Sequence, residues 1–242
     1  MPPLMQQEFK HGNKRMPVVD VLIPAFNEEN SVGLVVRDIP DFVRNIIVVN
    51  NNSNDSTVKV ARAAGAIVLD EPKRGYGKAC LTGMEYIGQQ ETQPDILVFL
   101  DADYSDFPEQ MEDVILPITE RGFDMVIGSR AKGEKEVGSM TFPQIFGNWL
   151  ATSLMKMIYK TDYSDLGPFR AVKWEKLKSL GMVDENYGWT IEMQIKAAKA
   201  GWKTTEVAVD YRKRIGVSKV SGTVKGVFGA GYKILWTIWK YW

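Results

Sequence analysis

Short apolar runs that alternate with longer amphipathic stretches restrict the fold of this chain more than any other feature of its sequence. The runs are strand-sized and rich in Val, Ile and Leu, and they span residues 18–23, 46–49, 66–69, 96–100 and 125–127. The stretches between them have the apolar spacing of helices and cover residues 29–39, 55–64, 78–88 and 107–118. This alternation is typical of βαβ units, so it predicts an α/β protein with a mostly parallel central sheet.

After residue 129 the pattern changes, and it ends in an aromatic tail. We expect a long helix over 142–159, then a stretch over 162–171 that contains Gly-Pro, a helix near 189–200, a strand near 203–209 and a tail over 224–242. From Tyr211 onward the chain has seven cations and no acid, and its last seven residues include three Trp and one Tyr. Lysines beside such aromatics are typical of a segment that lies on an anionic membrane surface. The alternatives are a helix that packs on the protein's own core or on a second copy in a homo-oligomer.

Composition excludes several classes of chemistry. Lys and Arg number 30 against 30 Asp and Glu, and there is one histidine, His11, and one cysteine, Cys80. The even charge argues against a nucleic-acid-binding protein with an overall basic surface. One histidine excludes an HExxH or multi-His zinc site, and one cysteine excludes an intrachain disulfide, which fits a reducing compartment. Because the sequence has neither a signal-peptide core in its first 15 residues nor a run of 18 apolar residues, we expect a cytoplasmic protein.

The strongest motif is Asp101-Ala102-Asp103, which directly follows a predicted strand. Two carboxylates one residue apart can reach the same hard divalent cation, and the small Ala102 leaves room for a ligand beside the backbone. The alternative is an acidic turn or a helix N-cap. Residues 79–120 contain ten acids and no Lys or Arg, a field that attracts a cation and repels a phosphate unless a metal bridges them. The context therefore favours a metal site.

Polar turns also follow the other predicted strands, at the edge where parallel sheets bind ligands. Gly75-Tyr76-Gly77-Lys78 offers amides and one cation to an anion, or is a simple strand-to-helix turn. Asn27 and Glu28 could read a base or a ribose, or start a helix. The Asn50 to Asp55 turn offers several hydrogen-bonding groups to a base, or caps the next helix.

Taken together, these ordered motifs resemble those of the inverting family 2 glycosyltransferases, whose fold is of the GT-A type. The later segments 126–130, 165–170 and 214–219 resemble the branch that contains the dolichyl- and polyprenyl-phosphate mannosyl- and glucosyltransferases. The resemblance covers residues 18 to about 220 and implies a Rossmann-like three-layer sandwich. It divides the chain into a polar tail (1–16), a glycosyltransferase domain (17–222) with a nucleotide-binding half (17–130) and an acceptor half (131–222), and the amphipathic helical tail (223–242).

The resemblance also implies roles for individual residues. The nucleotide sugar, a UDP- or GDP-sugar, would contact Pro24, Ala25, Asn27, Glu28, Asn51, Gly77, Lys78, Asp101, Ala102 and Asp103. Asp101 and Asp103 would hold Mg²⁺ or Mn²⁺. Arg130, Arg214 and Lys219 would hold phosphate or the acceptor, and the candidate catalytic carboxylates are Glu192, Asp103 and Asp165. For Glu192 the alternative is an acid on the surface of a helix.

The reaction that this family performs is a single displacement, with inversion, at the anomeric carbon of a nucleotide-activated sugar. The acceptor implied here is a lipid or a lipid-linked group at the inner face of a membrane. A hydroxyl acceptor needs a carboxylate base, Glu192 first and Asp165 second, whereas a phosphate acceptor needs none and would be held by Arg130. Two other functions stay open: a non-catalytic scaffold that binds nucleotide and membrane, and a sugar nucleotidyltransferase. Residues 24–29 disfavour the latter because they lack the Gly, Lys and Arg of a triphosphate loop.

Overall fold

A seven-stranded sheet forms the centre of the molecule in the computed structural model, which describes residues 15–216 and 224–242. Its strands are β1 (Val19–Ala25), β2 (Val43–Asn50), β3 (Ile67–Asp70), β4 (Ile96–Phe99), β5 (Met125–Ser129), β6 (Arg170–Lys173) and β7 (Thr204–Ala208). Their order across the sheet is β3-β2-β1-β4-β6-β5-β7. All neighbouring pairs are parallel except those of β6, which runs antiparallel to β4 and β5. The predicted α/β class with a mostly parallel sheet is confirmed.

Helices cover both faces of the sheet. They are α1 (Val32–Asp38), α2 (Thr57–Ala63), α3 (Tyr76–Gly88), α4 (Met111–Arg121), α5 (Phe142–Tyr159), α6 (Trp174–Ser179), α7 (Trp189–Lys199) and α8 (Val224–Lys240), and a 3-10 turn (Pro108–Gln110) precedes α4. Because β1 is buried on both sides, its side chains alternate between two cores. Val21 and Ile23 pack with α1, α2 and α4, whereas Leu22 packs in the core that contains α3 and α5 to α8. The predicted three-layer sandwich is confirmed.

The structure contains two elements that were not predicted from the sequence, strand β6 and helix α6. Strand β6 has only two apolar residues, Ala171 and Val172, between Arg170 and Lys173. So short a segment shows no periodicity of its own, and its pairing with β4 and β5 makes it a strand. By contrast, α5 has the bounds that the sequence predicts, since its apolar pattern is long and begins with the capping box of Thr141 and Gln144.

One side of the tail helix α8 packs on the protein's own core, against α5 and α7. Ile238 is buried in that core, Lys233 pairs with Asp184 at 2.9 Å, and the Tyr159 hydroxyl donates to the Ile238 carbonyl at 2.7 Å. The opposite side of α8 exposes Trp236 and Trp239. Within residues 15–216 and 224–242, no helix combines the length and apolar character needed to cross a bilayer.

Candidate active site

A cavity of ≈ 490 Å³ opens where β1, β2, β4 and β5 end, which is the sheet edge that the sequence predicts for ligand binding. It brings together nine of the predicted site residues: Pro24, Ala25, Glu28, Asn51, Asp101, Ala102, Asp103, Arg130 and Arg214. They come from residues 24–130 and from Arg214, so the cavity forms only when the later part of the chain folds against the earlier part. Lys219 lies outside the described residues, as do residues 1–14 of the predicted N-terminal tail.

The two carboxylates after β4 have different surroundings. Asp103 is buried; its Oδ1 accepts hydrogen bonds from the Ser105 amide and hydroxyl, and its Oδ2 lies 2.7 Å from Arg214 Nη1. Asp101 Oδ1 is buried and accepts no hydrogen bond within the described part of the chain. Burial and the charge of Asp103 raise the pKa of Asp101 to about 7. Neither acid caps a helix, since α4 begins after Gln110 without a side-chain cap.

This donor set fits a hard divalent cation. Asp101 supplies a buried carboxylate oxygen with no hydrogen-bond partner, and Asp103 supplies a second carboxylate two residues away. Nearby Asp106 is also buried, and among the described residues neither of its carboxylate oxygens has a hydrogen-bond partner. Burial and the charge of Asp101 raise the pKa of Asp106 well above the usual range and so favour its neutral form. No group of three or more potential metal-binding side chains occurs among the residues that the structure describes. Two carboxylates suffice for Mg²⁺ or Mn²⁺ when substrate phosphates complete the coordination.

Arg130 follows β5 and is held rigidly by Asp165. The Asp165 carboxylate accepts from the Arg130 amide and Nε, both at 2.8 Å, and from Nη2 at 2.7 Å. Although burial acts in the opposite direction, the Arg130 guanidinium lowers the pKa of Asp165, so this carboxylate stays ionised. Tyr211 packs under the guanidinium, with its ring centre 5.0 Å away. Asp165 therefore lies behind Arg130, outside the cavity wall, and orients the cation instead of facing a substrate.

From the sequence, Glu192 was expected either to face the substrate or to lie on the surface of a helix, and it does neither. It is 0% exposed, so it is not a surface acid, and it does not line the cavity. Its carboxylate accepts from the Asp184 amide at 2.7 Å, from the Tyr241 hydroxyl at 2.7 Å and from Lys196 Nζ at 2.8 Å. All three partners belong to the protein itself, so the carboxylate holds α7 to the loop that precedes it and to the tail. Glu192 thus joins Tyr241, which directly follows α8, to the segment that starts at Asp184.

That segment, residues 184–187, is pressed against the Gly75 to Lys78 turn. The Lys78 amide donates to the Glu185 carbonyl at 2.8 Å, and a Cβ on Gly77 would lie 2.0 Å from the Asp184 carbonyl oxygen. The glycine is thus needed for contact with the protein's own backbone. Gly77 and Lys78 do not line the cavity, and Lys78 Nζ instead lies 3.7 Å from Glu71.

Two predicted nucleotide-binding asparagines hold the turns of the cavity wall. Asn51 donates to the Lys73 carbonyl at 2.8 Å and accepts from the Gly75 amide at 2.7 Å, so its side chain fastens the 71–75 loop. Asn27 has a φ of 54° and accepts from the Asn54 amide at 2.9 Å. This left-handed conformation is one that Asn tolerates well. Asn51 lines the cavity, whereas Asn27 lies beside it.

Several residues of the cavity wall were not predicted from the sequence: Phe26, Arg74, Gly75, Tyr76, Gln144, Asn186, Tyr187 and Tyr211. The Arg74 guanidinium lies 3.8 Å from the centre of the Phe26 ring, and together they form a flat wall. Phe26 and Tyr76 are within motifs that the sequence singles out, so their positions carried a signal. Asn186 and Tyr187 carried no such signal, because only the packing of residues 184–187 on the Gly75 to Lys78 turn brings them to the cavity.

Comparisons with known proteins agree with this architecture. The family model described as "Glycosyl transferase family 2" matches residues 20–181. An uncharacterised glycosyltransferase of Mycobacterium tuberculosis is 34% identical over 215 residues, which cover 86% of this chain and 92% of that protein. A dolichyl-phosphate hexose transferase of Haloferax volcanii is 29% identical over 206 residues, covering 83% and 85%. The crystal structure of glucosyl-3-phosphoglycerate synthase from M. tuberculosis with Mn²⁺, UDP and phosphoglyceric acid shares the fold, with a TM-score of 0.73 at 20% identity, covering 93% and 78%.

Proposed function

The chain belongs to glycosyl transferase family 2, and from this premise we propose that it transfers a sugar, with inversion, from a UDP- or GDP-sugar to a lipid-linked phosphate such as a polyprenyl phosphate. One observation carries the proposal: a single cavity holds a pair of acidic residues suited to a divalent metal and two arginines suited to phosphate. The name of the H. volcanii relative, which specifies a dolichyl-phosphate acceptor, supports the same substrate class. The single cysteine fits a reducing compartment, so we assign the reaction to the cytoplasmic side of a membrane.

On the donor side, Asp101 and Asp103 would hold Mg²⁺ or Mn²⁺, which would neutralise the charge that develops on the departing diphosphate. The solved glucosyl-3-phosphoglycerate synthase contains Mn²⁺ with UDP, which supports this assignment. Arg214 pairs with Asp103 at 2.7 Å and lines the same cavity, so it is positioned to pass from the carboxylate to a bound diphosphate.

On the acceptor side, the acids available to the cavity favour a phosphate over a hydroxyl. Of the described residues, the acids that line the cavity are Glu28, Asp101 and Asp103. Glu28 accepts from the Ser31 hydroxyl at 2.9 Å at the nucleotide end, and the two aspartates are assigned to the metal. A hydroxyl nucleophile would need a further carboxylate to take its proton, whereas an ionised phosphate needs no base. Arg130, fixed by Asp165, would orient that phosphate.

The proposal is tested by assaying transfer from UDP-glucose and GDP-mannose, with Mn²⁺, to a polyprenyl phosphate and to the matching polyprenol. We expect transfer to the phosphate alone, and Asp103→Asn should lower the rate by at least about 10²-fold because it removes a metal ligand. Asp162→Asn is the matched control, since Asp162 is exposed and lies outside the cavity.

Transfer to the polyprenol at a comparable rate would contradict the phosphate assignment. Binding of nucleotide without transfer from a panel of nucleotide sugars would instead indicate a non-catalytic scaffold. Wild-type rates in Asp103→Asn would contradict the metal assignment.

A further inference from the structure

Two adjacent helices present a continuous aromatic face on one side of the molecule. We define this face by Phe142, Phe146 and Trp149 on α5 and by Leu235, Trp236 and Trp239 on α8. Phe142, Trp149 and Trp239 are 78%, 59% and 61% exposed. The α5 residues are spaced four and three apart, and on α8 Leu235 and Trp236 precede Trp239 by four and three residues, so each helix presents one stripe. The stripes adjoin each other, because Phe146 and Leu235 line opposite walls of one groove. Large apolar patches of this kind on a chain mark a surface that contacts something else.

Charge distribution indicates what covers this face. Neither α5 nor α8 contains an Asp or a Glu, and Lys240 is exposed next to Trp239 near the end of α8. Lys156 on α5 and Lys233 on α8 are paired with Asp162 and Asp184 of neighbouring segments. Trp residues with lysines and without acids are the composition of helices that lie in the interface of an anionic bilayer. Both helices are anchored to the protein from behind, α8 through Ile238 and α5 through Ala151 and Met155, so they lie along the surface.

A groove between the two helices connects the aromatic face with the active site. Its volume is ≈ 460 Å³, and its walls include Pro143, Gly147 and Ala151 of α5 and Ala230, Gly231 and Ile234 of α8. Small side chains on both helices leave it open and apolar. Arg130 and Gln144 line both this groove and the cavity that contains Asp101 and Asp103, so the two spaces meet at Arg130. A second protein copy seated on the face would cover the groove, whereas a bilayer would supply an apolar chain to it.

We propose that the aromatic face of α5 and α8 docks on an anionic lipid bilayer and turns the groove toward the membrane, so that the acceptor enters from the lipid phase. The docking proposal depends only on the exposed aromatic face. The entry of the acceptor from the lipid phase depends, in addition, on the proposed transfer reaction. Both helices contribute, so neither the tail alone nor α5 alone accounts for binding.

Flotation with vesicles tests the docking without any substrate. The full chain is mixed with vesicles of phosphatidylcholine alone or of phosphatidylcholine with phosphatidylglycerol. We expect binding to the anionic vesicles and at least about tenfold weaker partitioning for Phe142→Ala/Trp149→Ala and for Trp236→Ala/Trp239→Ala, since each pair removes apolar area from the interface. Val137→Ala is the matched control, because Val137 is 90% exposed and lies outside the face. Unchanged melting temperatures verify that the variants are folded.

Three outcomes would overturn the proposal. One is failure of the wild-type chain to float with anionic vesicles. Another is wild-type binding by the α5 pair, which would leave α8 as the docking element by itself. The third is a dimer in light scattering that becomes a monomer in the tryptophan variants, which would assign the face to a second copy.

The transfer assay separates docking from chemistry. With a short, water-soluble prenyl phosphate, both double variants should keep the wild-type rate, because the substituted residues lie outside the groove and the cavity. With a long polyprenyl phosphate in vesicles, both should lose roughly tenfold or more of the rate. A wild-type chain that floats but transfers no sugar would contradict the proposed function and leave the docking face intact.

Discussion

At the scale of single residues, the two aspartates after β4 are separated by one residue yet have different surroundings. Asp103 has its charge compensated by Arg214 and by two hydrogen bonds from Ser105. Asp101 has no such compensation at Oδ1, and burial and the charge of Asp103 raise its pKa to about 7. Asp101 therefore binds a proton below neutral pH, whereas a metal ligand must be ionised.

Metal affinity should consequently depend on pH through Asp101. Below about pH 7 the metal competes with a proton, so affinity for Mn²⁺ in the presence of a nucleotide sugar should rise about tenfold per pH unit up to that value and then level off. Isothermal titration between about pH 5 and 8 measures this slope. Nucleotide sugars are suitable partners because their diphosphate has no proton that titrates in this range.

Asp101→Asn is the control for that titration. It should weaken metal binding and remove the slope, since the amide cannot take up a proton in this range. A wild-type affinity that is independent of pH below 7 would contradict the assignment of Asp101 as a ligand.

The residue scale also shows the limit of inference from sequence. Asp101, Asp103 and Arg130 were predictable, because each directly follows a strand and all parallel strand ends meet at one edge. Glu192 and Asp165 were predicted to face the substrate, but position along the chain does not give the direction of a side chain. Glu192 turns toward Tyr241, which is 49 residues later, and no local spacing signals such a contact.

At the scale of elements, residues 184–187 connect the tail to the donor cavity. One side of the segment contacts the Gly75 to Lys78 turn. At its start, the Asp184 amide donates to the Glu192 carboxylate, which also accepts from the Tyr241 hydroxyl. Burial and then Glu192 raise the pKa of Tyr241, so its hydroxyl remains a donor throughout the physiological range. Asn186 and Tyr187 line the cavity, so a shift of the segment alters the wall.

Tyr241→Phe should loosen that wall without touching the cavity itself. Loss of a hydrogen bond to a buried carboxylate should lower the free energy of unfolding by about 1.5–3 kcal/mol. We expect KM for the nucleotide sugar to rise several-fold with little change in kcat, as measured by steady-state kinetics with a saturating acceptor. Tyr232→Phe, which removes the hydroxyl of an exposed tyrosine on the same helix, is the control and should leave both quantities unchanged. Equal effects from the two variants would contradict the connection.

Elements were predictable from the sequence where their patterns were long or their ends were capped. Helix α5 has the predicted bounds over 18 residues with a capping box at Thr141, whereas β6 has four residues and depends on its neighbours. Tertiary contacts with Tyr159 and Asp184 likewise determine which face of α8 packs inward. The helical periodicity of the tail does not reveal these contacts.

At the scale of the whole molecule, the even charge balance conceals two opposed regions. The chain after Asp210 has seven cations and no acid, so the preceding residues carry an equal excess of acid. Folding brings Arg214 from the basic region to Asp103 in the acidic one. The basic end of the chain thus contributes to two surfaces, the cavity wall through Arg214 and the aromatic face that α8 forms with α5.

Removal of residues 224–242 should therefore disturb the fold as well as any membrane contact. It would uncover the core around Ile238 and leave the buried carboxylate of Glu192 without Tyr241. We expect a loss of at least about 3 kcal/mol in the free energy of unfolding and a fall in Tm of roughly 6–12 °C. Calorimetry of the truncated chain measures both. A truncated chain that melts like the full chain would contradict the docking of α8 on the core, for which Trp242→Ala, an exposed residue, is the control.

Asn51 has a consequence for how donor preference could change in related chains. Its side-chain amide is occupied by the Lys73 carbonyl and the Gly75 amide, so the wall that it supports consists of Arg74 and of Gly75, which has only main-chain atoms to present to the cavity. A surface made of main-chain atoms changes only when the path of the chain changes. We expect homologues with different nucleotide preferences to differ in the length of this loop, and attempts to redesign the preference to succeed by grafting the loop as a unit.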